Sequence, residues 1–201
     1  KKFVGTIGDV GCFSFNGNKL ITTGSGGMVT SLNQKRLKHM KYLVNQARDN
    51  ATDYFHSEIG FNYRMSSLHA ALGLAQIKRI SHFIQKKKSF NRIYQKELGT
   101  REDLYFQESY PGAESSCWLT SIVFQKDIDM AKLQHQLMEK GIPTRRMFMP
   151  VVEFPPYQKF KKGSYPNAYC IYRRGLGLPN SMLNTDEDIY HICKILKKVI
   201  G

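Results

Sequence analysis

Strand-forming residues dominate Val10-Gly11-Cys12-Phe13-Ser14-Phe15, and a second short run, Gly27-Met28-Val29-Thr30-Ser31, follows a glycine-rich interval. The pair predicts a hairpin with a long loop, and Phe3 to Gly8 reads as a further extended piece broken by Gly5 and Gly8. From Leu32 the period changes. Leu37, Met40 and Leu43-Val44 recur at helical spacing with lysines between them, and Asn33 is placed to cap the helix. Asp49 to Tyr63 has no period. It holds His56, Glu58, Gly60 and Asn62, with Arg64 just beyond, which is more polar chemistry than a connector needs.

Ser66 caps the next segment, where Leu68, Ala71-Leu72, Ala75, Ile80, Phe83-Ile84, Ile93-Tyr94 and Leu98 carry a helical pattern to Gly99. A pattern longer than about 25 residues predicts either a connecting helix or a break, here near Ser81, and the continuous helix is the favoured form. Beyond Gly99 the pattern predicts a buried strand over Ser115 to Phe124, a helix over Asp127 to Lys140 stopped by Gly141, and a strand over Ile142 to Phe148. That order fits a separate α+β unit. Pro150, Pro155 and Pro156 predict a non-helical loop, because proline lacks a backbone donor and restrains its predecessor. A short helix runs from Pro166 to Arg174, Leu176 to Pro179 is extended, and Thr185-Asp186-Glu187-Asp188 opens a final amphipathic helix carrying Ile189, Ile192, Ile195-Leu196 and Val199.

With 201 residues, 41% of them hydrophobic and 23% charged, the composition is that of an ordinary globular chain, large enough for one sizeable core. No apolar run approaches the roughly 20 residues a membrane helix needs, so a soluble protein with no membrane partner is expected. The start shows neither a secretory pattern nor an initiator methionine, which suggests a sequence that begins mid-protein. Cys12, Cys117, Cys170 and Cys193 are widely spaced without a C-x-x-C pair. They read as reduced, buried thiols in a cytoplasmic protein. The net charge of +14 admits nucleic acid, an anionic surface or an anionic small substrate. The basic residues are spread along the chain without the aromatic interleaving of a single-strand groove, so most read as solvated faces. A basic nucleic-acid or polyanion binding module stays open as an alternative function.

Lys19 is the sharpest candidate for chemistry. It lies between Gly17 and the cluster Gly24-Ser25-Gly26-Gly27, with Ser14, Asn16, Asn18, Thr22 and Thr23 around it. A lysine so placed could be solvated, could bind phosphate, or could form a Schiff base with an aldehyde whose phosphate the hydroxyls and backbone N–H groups would hold. A Walker loop is excluded because no Gly-Lys-Ser/Thr ending is present. The six histidines share no metal-ligand spacing, and no metal is assigned. Trp118, Tyr105 and Tyr110 could stack on a base, though core packing is the simpler reading.

Taken together, Gly8 to Lys19 and Thr22-Thr23-Gly24-Ser25-Gly26-Gly27-Met28 closely resemble the sugar aminotransferases of the DegT/DnrJ/EryC1/StrS family. Gly60-Phe61-Asn62-Tyr63-Arg64-Met65, with Ala70-Ala71-Leu72-Gly73-Leu74-Ala75-Gln76, is similar to its second signature. Gly141-Ile142-Pro143-Thr144-Arg145-Arg146 with Pro150, and Leu178-Pro179 before Thr185-Asp186-Glu187-Asp188-Ile189, are similar to its later segments. The pieces occur in the family's order and cover essentially the whole chain.

The resemblance implies an α/β protein, the C-terminal part of a fold type I transferase of the aspartate-aminotransferase type that uses pyridoxal 5'-phosphate. Residues 1–80 would end the large cofactor-binding domain, 81–99 would be a linking helix, and 100–201 a small α+β domain. It implies that Lys19 bonds the cofactor and moves protons, that Ser14 binds the cofactor phosphate, and that Asn62 reaches the phosphate of a second subunit in a homodimer with a shared active site. Arg64, then Arg146, are the candidates for a substrate diphosphate, since planar guanidinium suits phosphate oxygens; the simpler reading of both is an exposed salt bridge. The implied reaction moves an amino group from glutamate to a keto group of a nucleotide-linked sugar, for surface polysaccharide or amino-sugar synthesis. Two departures stand out. The upstream half, with the aspartate for the cofactor ring nitrogen and the stacking aromatic, is not in this sequence, so this chain alone would be a catalytically inert fragment. Val151-Val152-Glu153 also stands where the family often has a histidine after the proline.

Overall fold

The computed structural model describes residues 2–50 and 52–201; Lys1 and Ala51, which fall in the amino-terminal run and the polar loop, lie outside the described residues. Two compact units meet in sequence at Ser81 and His82. In the first, strands β1 (Gly11–Ser14) and β2 (Gly27–Thr30) form the expected antiparallel hairpin, Gly11 facing Thr30 and Ser14 facing Gly27. Gly27 is required by close approach, since a Cβ there would lie 2.5 Å from the Phe13 carbonyl oxygen. Phe3 to Thr6 is a turn and not an extended piece. The Thr6 amide and hydroxyl both donate to the Phe3 carbonyl, at 3.1 and 2.7 Å, and Gly5 takes a φ of +89°.

Helix α1 (Gln34–Leu43) starts as predicted at Asn33, whose side chain accepts the Arg36 N–H at 3.0 Å. Helix α2 (Ser67–Ile77) starts at Ser66, whose hydroxyl accepts the His69 N–H. The long helical pattern is two helices, with α3 (Ile80–Leu98) following a break at Lys78-Arg79, earlier than Ser81. No glycine or proline marks that break; the Arg79 N–H simply closes a tighter turn onto the Gln76 carbonyl at 2.9 Å. This first unit buries little: Thr23 and Ala47 are enclosed, while Phe3, Leu32, Ile59, Leu68 and Leu74 are exposed.

The second unit begins inside α3. Its strands are β3 (Leu104–Phe106), β4 (Ser121–Phe124), β5 (Arg145–Arg146) and β6 (Gly175–Gly177), in the antiparallel order β3-β4-β6-β5. The helices α4 (Met130–Glu139), α5 (Pro166–Arg174) and α6 (Asp186–Ile200) complete it. Phe90, Tyr94 and Leu98 of α3 pack with Ile122, Leu133, Leu137, Leu176, Ile189, Cys193 and Leu196 in one core. Each such large apolar side chain contributes about 1.5–3 kcal/mol on burial. The helical spacings 90-94-98 and 189-193-196 are what bring one face of α3 and of α6 to that core.

Four expectations are corrected here. Ser115 to Thr120 is not strand: Cys117 sits at a φ of +51°, and the carbonyls of Cys117 and Trp118 accept from the Asn180 side chain at 3.2 and 3.1 Å instead of from a neighbouring strand. The Ile142–Phe148 strand is reduced to Arg145 and Arg146, which pair with Gly177 and Leu176 of β6, and a longer bond of 3.4 Å from the Met147 N–H to the Gly175 carbonyl continues the contact. Part of the proline-rich loop winds into short 3-10 turns at Val151–Glu153 and Pro155–Phe160. Of the four cysteines only Cys193 is buried; Cys12 is exposed and Cys117 and Cys170 are half-buried.

Candidate functional site

The Lys19 loop is tied at its two ends. Phe15 donates its N–H to the Gly26 carbonyl at 3.0 Å, and its own carbonyl accepts both the Thr23 N–H at 2.9 Å and the Thr22 hydroxyl at 3.0 Å. Within this ring, the Lys19 N–H closes a turn onto the Asn16 carbonyl at 3.0 Å, and the Asn16 side chain accepts the Gly17 N–H at 2.9 Å. Small hydroxyl and amide side chains favour such local turns. Lys19 is half-buried and Ser14 is exposed at the end of β1. The Ser14 hydroxyl oxygen accepts the Asn16 N–H at 3.3 Å, which leaves its proton to be donated to an anion.

Gly17 is informative about what the loop faces. Its φ lies outside the left-handed region and a Cβ there would meet nothing within 4 Å, so neither conformation nor intrachain packing demands glycine. Gly24 and Gly26 differ, with φ of +80° and +106°, which disfavour other residues. Open space thus lies beside Gly17, the Ser14 hydroxyl keeps a proton to donate, and the same loop carries Lys19.

Asn62 and Arg64 lie on the segment that returns to α1. The Phe61 N–H donates to the Leu43 carbonyl at 2.8 Å and the Tyr63 N–H to the Val44 carbonyl at 3.0 Å, leaving both Asn62 and Arg64 side chains exposed. Arg64 donates to the Asn45 side chain at 3.1 Å. Gly60 makes this return possible, because a Cβ there would overlap the Ala47 amide nitrogen at 2.2 Å. The preceding loop is organised by Asp49, whose carboxylate accepts from the Ser57 hydroxyl and N–H, each at 2.8 Å, and from the Tyr42 hydroxyl at 2.9 Å. Those bonds hold the Asp49 carboxyl below its usual range. Met65, next to Arg64, reaches the glycine cluster: a Cβ on Gly26 would come 3.0 Å from its methyl. Ser14, Lys19, Asn62 and Arg64 therefore belong to one unit whose two segments touch.

Arg146 belongs to the second unit, exposed on β5, with its guanidinium 4.8 Å from the Tyr172 ring centre. Among the described residues neither Arg64 nor Arg146 is in an ion pair, so the salt-bridge reading of both is not what the structure contains. In the same unit, Glu153 accepts from Lys161 at 2.7 Å and from the Tyr169 hydroxyl. These bonds lower the Glu153 carboxyl pKa and raise that of Lys161.

The spacing of residues gave no hint of Gln76. Its side chain accepts the Thr22 N–H at 3.0 Å and donates to the Thr22 carbonyl at 2.6 Å, across a separation of 54 residues. Thr23, beside it, is buried, and its hydroxyl donates to the Ser25 carbonyl.

A sequence model described as the DegT/DnrJ/EryC1/StrS aminotransferase family matches residues 1–197. The GDP-perosamine synthase of Vibrio cholerae is 35% identical over 98% of this chain and 54% of its own length. Helicobacter pylori PseC, an aminotransferase involved in the biosynthesis of pseudoaminic acid, superposes with a TM-score of 0.86 at 26% identity, over 99% of this chain and 55% of that one. The aminotransferase TlmJ of Streptoalloteichus hindustanus shares the fold, with a TM-score of 0.89 at 21% identity over 98% of this chain and 53% of that one. The chain spans about half the length of the curated relatives it matches.

Proposed function

We propose, proceeding from the fact that this chain belongs to the DegT/DnrJ/EryC1/StrS aminotransferase family, that it carries the lysine half of the active site of a pyridoxal-phosphate aminotransferase acting on a nucleotide-linked keto sugar. The observation that carries this reading is the Lys19 loop: an amine held on a ring closed at Phe15, Thr22 and Thr23, with the Ser14 proton and the space beside Gly17 open to a ligand. Bound there, pyridoxal phosphate would supply an aldehyde for an amine and a cationic ring that draws electrons from the adjacent carbon.

Each residue then has a defined task. Lys19 Nζ acts first as nucleophile and then as the base and acid that removes a proton from one carbon and returns it to another. Ser14 Oγ donates to the cofactor phosphate. Asn62, exposed beside the pairing with α1, donates to the phosphate of a second subunit, which makes the working form a homodimer. Arg64, exposed and without a carboxylate partner among the described residues, is the first candidate to neutralise the substrate diphosphate, and Arg146 is the second. The amine donor is glutamate and the compartment the cytoplasm. Residues 1–80 form the end of the large domain, 81–99 the connecting helix and 100–201 the small domain; the exposed apolar side chains of the first unit support its being part of something larger.

The test is direct. The natural full-length protein should be yellow, and borohydride reduction should add the cofactor mass to the peptide that contains Lys19. Lys19→Ala should lose the colour and at least about a thousandfold in amination of a panel of nucleotide-linked keto sugars. A colourless wild-type protein that takes up no pyridoxal phosphate would end this reading.

A further inference from the structure

The side chain of Gln76 does for the Lys19 loop what a neighbouring strand does elsewhere. One primary amide satisfies both backbone groups of one residue, accepting the Thr22 N–H through Oε1 at 3.0 Å and donating through Nε2 to the Thr22 carbonyl at 2.6 Å. Thr22 is three positions after Lys19, and its hydroxyl is bonded to the carbonyl of Phe15, which follows Ser14. The ring that contains Lys19 is thereby attached to α2. One turn earlier on the same helix face, Gly73 permits contact, since a Cβ there would come 2.9 Å from the Thr23 methyl. The helix meets the loop at two successive levels, by an absent side chain at 73 and by a paired amide at 76.

We infer that Gln76 is the positioning residue of this site, holding Lys19 and Ser14 in register with α2 while touching neither cofactor nor substrate; the catalytic half of this inference rests on the reading of Lys19 given above. The chemistry is specific to an amide of this length. Methionine fills the space without a donor or acceptor. A glutamate carboxylate sets oxygen against the Thr22 carbonyl, whereas the protonated acid has one donor and one acceptor and restores the pairing.

The test compares Gln76→Met and Gln76→Glu with wild type in the natural full-length protein. In cofactor-free Gln76→Met, the exchange protection of the Thr22 amide should fall at least about tenfold while that of Ala70 in α2 is unchanged. In the loaded enzyme, kcat should fall about 10- to 100-fold with KM for the sugar nucleotide within about threefold. Gln76→Glu should behave as Gln76→Met at pH 8 and recover Thr22 protection toward the wild-type value at the same pH at about pH 4, where a glutamate carboxyl is mostly protonated. A packing role alone would leave Gln76→Met, which fills the same space, like wild type in Thr22 protection. Unchanged Thr22 protection in Gln76→Met, or a Gln76→Glu protein equally unprotected at Thr22 at pH 8 and at about pH 4, would overturn the inference. A wild-type protein that binds no pyridoxal phosphate would remove its catalytic half together with the proposed function, while the protection measurement would still decide whether the clamp exists.

Discussion

Lys87 sits in an environment unlike the one its type prefers. It is 5% exposed, its amine donates to the Asn180 carbonyl, and no carboxylate among the described residues pairs with it. Burial, and then the charge of Lys86, push its pKa down to about 8. Between that value and about 10.4, where a free lysine titrates, the unfolded chain holds one proton more than the folded one, so stability rises with pH. Cys193 works in the opposite sense. Burial lifts its thiol to about 12, so above pH 9 the unfolded chain loses that proton first and stability falls. The Cys193 contribution already begins between pH 8 and 9, where the unfolded thiol titrates, but it is common to the wild-type chain and Lys87→Met, so the difference between those two proteins isolates the lysine. From pH 8 to 9 urea denaturation should show the wild-type chain gaining about 1 kcal/mol relative to Lys87→Met. Equal slopes in the two proteins would refute this assignment. The same scale explains what could be read in advance: Lys19 and Ser14, the residues proposed to hold the cofactor, are five positions apart in one contiguous motif, whereas Gln76 bonds Thr22 across 54 residues, a pairing that no periodicity records.

At the scale of elements, local chemistry was the legible part. Asn33 and Ser66 cap the helices they were expected to cap, and Thr185 makes a reciprocal box with Asp188: the Thr185 hydroxyl accepts the Asp188 N–H at 3.2 Å and the Asp188 carboxylate accepts the Thr185 N–H at 2.7 Å. Thr185→Ala should cost about 1 kcal/mol, read as a lower urea midpoint with unchanged slope. No change in midpoint would mean that α6 is held by its buried face alone. What could not be read was any element fixed by a distant partner. Ser115 to Thr120 has a strand's composition, yet Asn180 takes its carbonyls and Cys117 adopts a left-handed backbone. The three-residue β3 is a strand only because β4 lies beside it.

Across the whole molecule, the two units differ in what encloses them. The second has a core drawn from α3, α4, α6 and the four-stranded sheet, and the first encloses little beyond Thr23 and Ala47. Hydrogen exchange on the 201-residue chain should therefore give amides of Phe90, Tyr94 and Ile192 protection at least about a hundredfold greater than any in β1 or β2. In the natural full-length protein the β1 and β2 amides should become protected, since apolar surface of this extent is stable only when covered. Comparable protection of both units in the 201-residue chain would contradict this. The helical spacing of α3 and α6 made the second core legible. It left the covering of the first unit unspecified, because an exposed and a covered apolar side chain look alike in sequence.

Gly17 and Gly60 turn the substitution record of related proteins into an assay. Gly60 is confined by the Ala47 backbone, so its retention reports only that the chain folds this way. Gly17 has nothing within 4 Å, so the fold would tolerate a side chain there and retention must be selected by whatever occupies the space beside it. Across relatives, glycine at the position of Gly17 should persist wherever the lysine persists and drift wherever the lysine has been replaced, while glycine at the position of Gly60 stays in both groups.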